Sequence, residues 1–72
     1  MRLVLITRKT CIYCDKAKEL ITKKGDDYVE YDIDDKPDFK EFLKANELFT
    51  VPQIYFEGHH VGGYDDLQEF YS

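Results

Sequence analysis

The chain has 72 residues with a formal net charge of −5, and 43% of them are hydrophobic while 35% are charged. This length suits one small domain near the lower limit at which a single hydrophobic core is self-sufficient. The acidic balance argues against a nucleic-acid partner, and no apolar run approaches the roughly 20 residues of a membrane-spanning helix, so no membrane partner is expected.

The first part of the chain predicts a strand, a helix and a second strand. Residues 3–6 are a short apolar run bounded by charge, which is typical of a buried strand. Residues 13–24 carry apolar side chains at helical spacing, and Gly25 is well placed to end this helix. Residues 28–33 alternate between apolar and polar side chains, as a strand does. Such a unit implies parallel strands joined by a right-handed crossover.

The remaining residues predict a second helix, a hairpin and a terminal helix. Acids ahead of Pro37 suit the start of a helix. Residues 53–56 and 59–61 predict two strands joined by a tight turn, and acids in the first turn favour a helix over residues 65–71. The order β-α-β-α-β-β-α predicts an α/β fold, in which helices flank a four-stranded mixed sheet and residues 1–72 form a single domain.

Both cysteines of the protein, Cys11 and Cys14, lie at the predicted junction of the first strand and the first helix. A Cys at a helix N-terminus is close to unpaired backbone N–H groups and to the positive end of the helix dipole, which favour the thiolate. A cross-link over so few residues constrains almost no unfolded chain, so we expect a functional pair. Because no signal peptide is evident, we expect dithiol–disulfide chemistry in the cytoplasm.

Two cations precede the first cysteine closely. Arg8 and Lys9 lie three and two residues before Cys11. Positive charge at this place should favour the thiolate further and attract a small anionic substrate.

Three motifs, spread in order over the whole chain, make it resemble the glutaredoxin family of the thioredoxin-like fold. They are Arg8-Lys9-Thr10-Cys11-Ile12-Tyr13-Cys14, Thr50-Val51-Pro52-Gln53-Ile54 and Gly62-Gly63-Tyr64-Asp65-Asp66-Leu67. The resemblance implies a glutathione-dependent thiol–disulfide oxidoreductase, in which the Cys11 thiolate attacks a disulfide and Cys14 resolves the mixed disulfide. Ile12 replaces the usual proline of the first motif, which should change the reactivity of the thiols.

The same resemblance implies a binding site for glutathione as co-substrate. Arg8 would meet the glycyl carboxylate, and the backbone of Val51, ahead of a cis proline, would pair with the cysteine part. The glycine-rich motif would receive the γ-glutamyl end, with an acid meeting its amino group. The implied glutathione-binding residues are Arg8, Tyr13, Thr50, Val51, Pro52, Gly63, Tyr64, Asp65 and Asp66.

Two alternatives stay open. One is an electron donor to ribonucleotide reductase that thioredoxin reductase reduces, and the other is an iron–sulfur cluster carrier that holds the cluster between two protomers. The expected partners are glutathione and disulfide-containing proteins, with ribonucleotide reductase as one candidate, and we expect a monomer. No metal is expected at His59 and His60, since adjacent residues of a strand point to opposite faces.

Overall fold

The computed structural model of the chain describes residues 2–72. The elements are β1 (Arg2–Thr7), α1 (Ile12–Lys23), β2 (Asp27–Asp32), α2 (Pro37–Ala45), β3 (Gln53–Phe56), β4 (His59–Gly62) and α3 (Tyr64–Phe70). The predicted α/β class and the order of elements are confirmed. β3 has the predicted bounds, and the ends of the other strands and of α1 and α3 differ from the predicted ones by at most one residue, because element ends depend on hydrogen bonds that periodicity does not encode.

The four strands form one mixed sheet in the order β2-β1-β3-β4. β1 pairs in parallel with β2 and antiparallel with β3, which in turn pairs antiparallel with β4. The parallel pair needs a crossover connection, and α1 supplies it. β1 therefore lies inside the sheet, and its C-terminal end leads directly into the segment that carries both cysteines.

The hydrophobic core lies between one face of the sheet and helices α1 and α3. Alternation along β1 turns Leu3 and Leu5 toward this face, and the helical spacing of α1 places Ala17 and Ile21 against them. Cys14 lies one turn before Ala17 on the same side of α1, and only 1% of its surface is exposed. The packing of α1 thus buries the second cysteine.

The opposite face of the sheet is covered by α2. Tyr31 of β2 stacks on Phe39 of α2 with ring centroids 4.4 Å apart, and Phe42 meets Tyr55 of β3 edge to face at 6.2 Å. Leu43 is the buried residue of this helix. α2 therefore lies beside the C-terminal end of β1, near the first cysteine.

The end of α1 is fixed as the sequence predicts. Gly25 has a φ of 78°, its N–H donates to the carbonyl of Thr22, and the N–H of Asp26 donates to the carbonyl of Ile21. This pair of bonds is a Schellman motif, for which glycine is the preferred residue.

Across residues 2–72, none of the helices combines the length and the apolar character needed to cross a membrane.

Candidate active site

Cys11 and Cys14 form a disulfide at the N-terminus of α1. Cys11 is the N-cap residue, and its Sγ accepts a hydrogen bond of 3.1 Å from the backbone N–H of Cys14. Cys11 is partly exposed and its Sγ lies 3.7 Å from the carbonyl oxygen of Val51, whereas Cys14 is buried. An incoming thiolate or disulfide can therefore reach Cys11 but not Cys14.

A hydrogen-bond network holds the end of β1, from which the cysteine segment departs. The hydroxyl of the buried Thr7 donates to Glu30 of β2 at 2.7 Å, and Lys18 of α1 donates to the same carboxylate oxygen at 3.0 Å. Burial acts to raise the pKa of Glu30, but the bonds from Thr7 and Lys18 outweigh it and leave this pKa lowered. The hydrogen bond to Glu30 raises the pKa of Lys18. The network thus ties α1 to the sheet on both sides of the cysteines.

The two cations ahead of Cys11 face different surroundings. Lys9 Nζ lies 2.9 Å from Asp35 and 3.4 Å from Asp32, and the hydrogen bond to Asp35 raises the pKa of Lys9. Its backbone N–H also donates to Asp34 at 3.0 Å. The Lys9 charge is therefore paired with acids of β2 and of the turn that follows it. Arg8 instead lines a cleft together with Cys11.

This first cleft, of about 450 Å³, opens beside Cys11. Its cations are Arg8 from the cysteine segment and two lysines of α2, Lys40 and Lys44. The two lysines were missed in the sequence, although their spacing of four places them on one side of a helix. The spacing of the two lysines can be read from the sequence, but their position beside Cys11 follows from the packing of α2. The remaining lining residues are Thr10, Ile33, Leu43, Leu48, Phe49, Thr50 and Val51.

A second cleft, of about 190 Å³, also borders the segment that precedes β3. Thr50 and Val51 line both clefts and form their common wall. The Val51–Pro52 peptide is cis, as the resemblance implied. The second cleft is lined by Tyr13, Thr50, Val51, Pro52, Gly63, Tyr64 and Asp65.

Asp66 does not join the residues of this cleft. Its Oδ2 accepts a hydrogen bond of 3.0 Å from the backbone N–H of Gly63, so the carboxylate caps α3, and it lines a different cavity beside His59. Gly62 has a φ of 122°, and a Cβ there would overlap the Asp66 side chain. Of the two neighbouring acids, Asp65 therefore lines the second cleft and Asp66 does not.

Large exposed apolar side chains surround Cys11. Ile12 is 72% exposed and Phe49 is 79% exposed. Tyr13 is also exposed, its ring lies 5.9 Å from that of Tyr64, and Lys16 Nζ lies 5.3 Å from the Tyr13 ring centroid. The approach to the disulfide is thus apolar at its rim and cationic in the first cleft.

The described part of the chain, residues 2–72, contains no group of three or more His, Cys, Asp or Glu side chains that could hold a metal ion. His60 Nε2 lies 2.7 Å from Oε1 of Gln53, an engagement that the sequence did not suggest.

Comparison with known proteins identifies the family of this fold and site. The family model described as Glutaredoxin matches residues 3–61, which include the first two motifs. Glutaredoxin 3 of Escherichia coli K12 is 41% identical over 64 residues, covering 88% of this chain and 77% of that protein. A glutaredoxin of Pseudomonas aeruginosa is 43% identical over 65 residues, covering 89% and 77%. The crystal structure of a buckwheat glutaredoxin–glutathione complex superposes with a TM-score of 0.83 at 29% identity, covering 96% of this chain and 66% of that one.

Proposed function

This chain belongs to the glutaredoxin family, and from that premise we propose that it uses glutathione to reduce protein disulfides and glutathione mixed disulfides. It is a dithiol oxidoreductase whose redox-active pair is Cys11 and Cys14. The observation that carries the finer proposal is the pair of clefts that share the Thr50–Val51 wall beside Cys11, with cations in one and an acid in the other.

The charges of the two clefts complement those of glutathione. The tripeptide carries a glycyl carboxylate at one end and an amino group with a second carboxylate at the other. Arg8 and Lys40 offer cations to the glycyl carboxylate, and Asp65 offers an anion to the amino group. An extended tripeptide along Thr50 and Val51 brings its central cysteine next to Cys11, since successive residues advance about 3.3 Å. Tyr13, Pro52, Gly63 and Tyr64 complete the second cleft.

The proposed reaction begins with the accessible thiolate. Cys11 attacks one sulfur of the substrate disulfide, the bond from Cys11 to that sulfur forms, and the substrate bond breaks. The departing sulfur leaves as a thiolate that takes up a proton. Cys14 then attacks Cys11, which releases the second substrate sulfur and forms the disulfide present in this structure.

Two molecules of glutathione return the enzyme to its reduced form. The first glutathione thiolate attacks Cys11, which breaks the bond between Cys11 and Cys14 and leaves Cys11 joined to glutathione. The second attacks the sulfur of that bound glutathione, so oxidised glutathione departs and both cysteines are thiols again. With a glutathionylated substrate, the attack of Cys11 already leaves Cys11 joined to glutathione. Attack by one further glutathione then completes the cycle, and Cys14 is not required.

Protein substrates are proposed to dock on the apolar rim of the site. Ile12 and Phe49 are the most exposed large apolar side chains near Cys11. An apolar side chain beside the substrate cysteine can be covered by these two residues, which gives protein disulfides a contact that free glutathione lacks.

Because one chain supplies both clefts and both cysteines, the cycle needs no second copy. We place it in the cytoplasm, where glutathione keeps thiols reduced.

The test is an assay that couples NADPH oxidation to glutathione reductase, with glutathione and a small glutathione mixed disulfide as substrates. We expect a rate that depends on both the protein and glutathione. Activity with thioredoxin reductase but none with glutathione would refute the proposal in favour of a thioredoxin-like donor. Visible absorption after anaerobic purification, together with an inactive protein, would instead indicate a cluster carrier.

A further inference from the structure

His60 of β4 lies on the face of the sheet that carries Gln53. In the antiparallel pairing of β3 with β4, His60 stands opposite Tyr55, and the two rings are 4.8 Å apart. Tyr55 and Gln53 are two residues apart on β3 and so project to the same face. His59 stands opposite Phe56 and belongs to the other face. The two adjacent histidines therefore have different neighbours. Within residues 2–72, His60 forms a side-chain hydrogen bond to β3 and His59 does not.

Gln53 connects His60 to the wall of the site. Gln53 is buried, with 5% of its surface exposed, and its Nε2 donates to the carbonyl of Thr50 at 2.8 Å and to the Thr50 hydroxyl at 3.2 Å. A carbonyl oxygen can only accept, so the amide NH₂ of Gln53 must face Thr50 and its Oε1 must face His60. His60 Nε2, 2.7 Å from that oxygen, is then the donor. The chain of bonds runs from His60 through Gln53 to Thr50.

Through Thr50, this chain of hydrogen bonds extends to the wall beside the reactive Cys11. Thr50 and Val51 form the wall shared by both clefts, and the Val51 carbonyl lies 3.7 Å from Cys11 Sγ. We propose that His60 is a positioning residue for disulfide exchange, acting through Gln53 to hold the Thr50–Val51 wall against Cys11. This inference rests on the proposed function, because the wall is where glutathione is expected to lie.

Three variants separate this role from a general effect on folding. His60→Phe keeps an aromatic ring beside Tyr55 but removes the donor, and His60→Gln keeps a side-chain donor. His59→Phe makes the same change one position earlier and is the matched control. We expect His60→Phe to raise KM for glutathione about fivefold with little change in kcat, within the range that loss of one net hydrogen bond gives. His60→Gln should recover most of the loss, and His59→Phe should match the wild type.

Coupling to Gln53 tests the proposed path. In a Gln53→Leu background the donor has no acceptor, so adding His60→Phe should change KM no further, whereas independent effects would multiply. Thermal unfolding midpoints show whether each variant is folded. If Gln53→Leu does not fold, the backbone amide chemical shift of Val51 serves instead, and it should move in His60→Phe but not in His59→Phe.

The outcomes of these experiments distinguish a failure of the positioning role from a failure of the proposed function. A wild-type protein without glutathione-dependent activity would overturn the proposed function, while the Val51 chemical shift would still report on the bonds from His60. A wild-type level of KM and an unmoved Val51 shift in a folded His60→Phe protein would overturn the positioning role alone. Equal effects of His59→Phe and His60→Phe would do the same.

Discussion

Reversal of the Arg8 charge should weaken the binding of glutathione far more than reversal of the neighbouring Lys9 charge. Arg8 lines the cleft beside Cys11, whereas Lys9 is paired with Asp32 and Asp35. In the proposed complex Arg8 faces the glycyl carboxylate. Because Arg8 is exposed, a dielectric constant near that of water applies, and two unit charges about 4 Å apart then interact by about 1 kcal/mol.

Arg8→Glu replaces this attraction with a repulsion of similar size, a change of about 2 kcal/mol or roughly 30-fold in affinity. Screening at physiological ionic strength reduces the effect to about tenfold. We therefore expect KM for glutathione to rise about 10- to 30-fold while kcat falls much less, since the interaction concerns binding of the co-substrate. The Lys9→Glu protein should keep a KM close to that of the wild type.

The assay is steady-state turnover of a small glutathione mixed disulfide, with glutathione varied at several salt concentrations. The ratio of KM values between Arg8→Glu and the wild type should shrink as the salt concentration rises. An unchanged KM in Arg8→Glu, or an equal increase in Lys9→Glu, would refute the placement of the glycyl carboxylate at Arg8.

Three further predictions concern the cysteines and the network beneath them. Cys11→Ser should abolish all activity, whereas Cys14→Ser should still remove glutathione from a small mixed disulfide and lose most reduction of protein disulfides; comparing both proteins in both assays tests this, and an active Cys11→Ser protein would contradict it. In the reduced protein, alkylation of Cys11 should have a pH midpoint below the ~8.5 of a free thiol, and a midpoint at or above that value would remove the argument from the helix N-terminus. Because folding lowers the pKa of Glu30, this carboxylate stabilises the fold at pH values above its ordinary pKa of 4.5. That stabilisation is lost as the pH falls through the folded-state pKa. Glu30→Gln should therefore lose less stability on acidification than the wild type does, as urea unfolding at pH 7 and pH 3.5 would show, and equal losses would contradict the assignment.

The sequence alone determined the elements and the reactive pair. Residues 3–6, 13–24 and 53–56 carry their structure in local periodicity, and the position of Cys11 ahead of a helix follows from the same pattern. Burial of Cys14 was predictable as well, since the period of a helix places it in line with Ala17 and Ile21. Such features depend on residues within a few positions of each other.

The tertiary structure alone decided which charges reach the site. Arg8 and Lys9 are neighbours in the sequence, yet the acids of the turn after β2 engage Lys9 and leave Arg8 in the cleft. Lys40 comes to Cys11 because α2 packs beside the end of β1. In each case the outcome depends on the direction of a side chain relative to a distant element, which the packing of the helices on the sheet sets and the local sequence pattern does not contain.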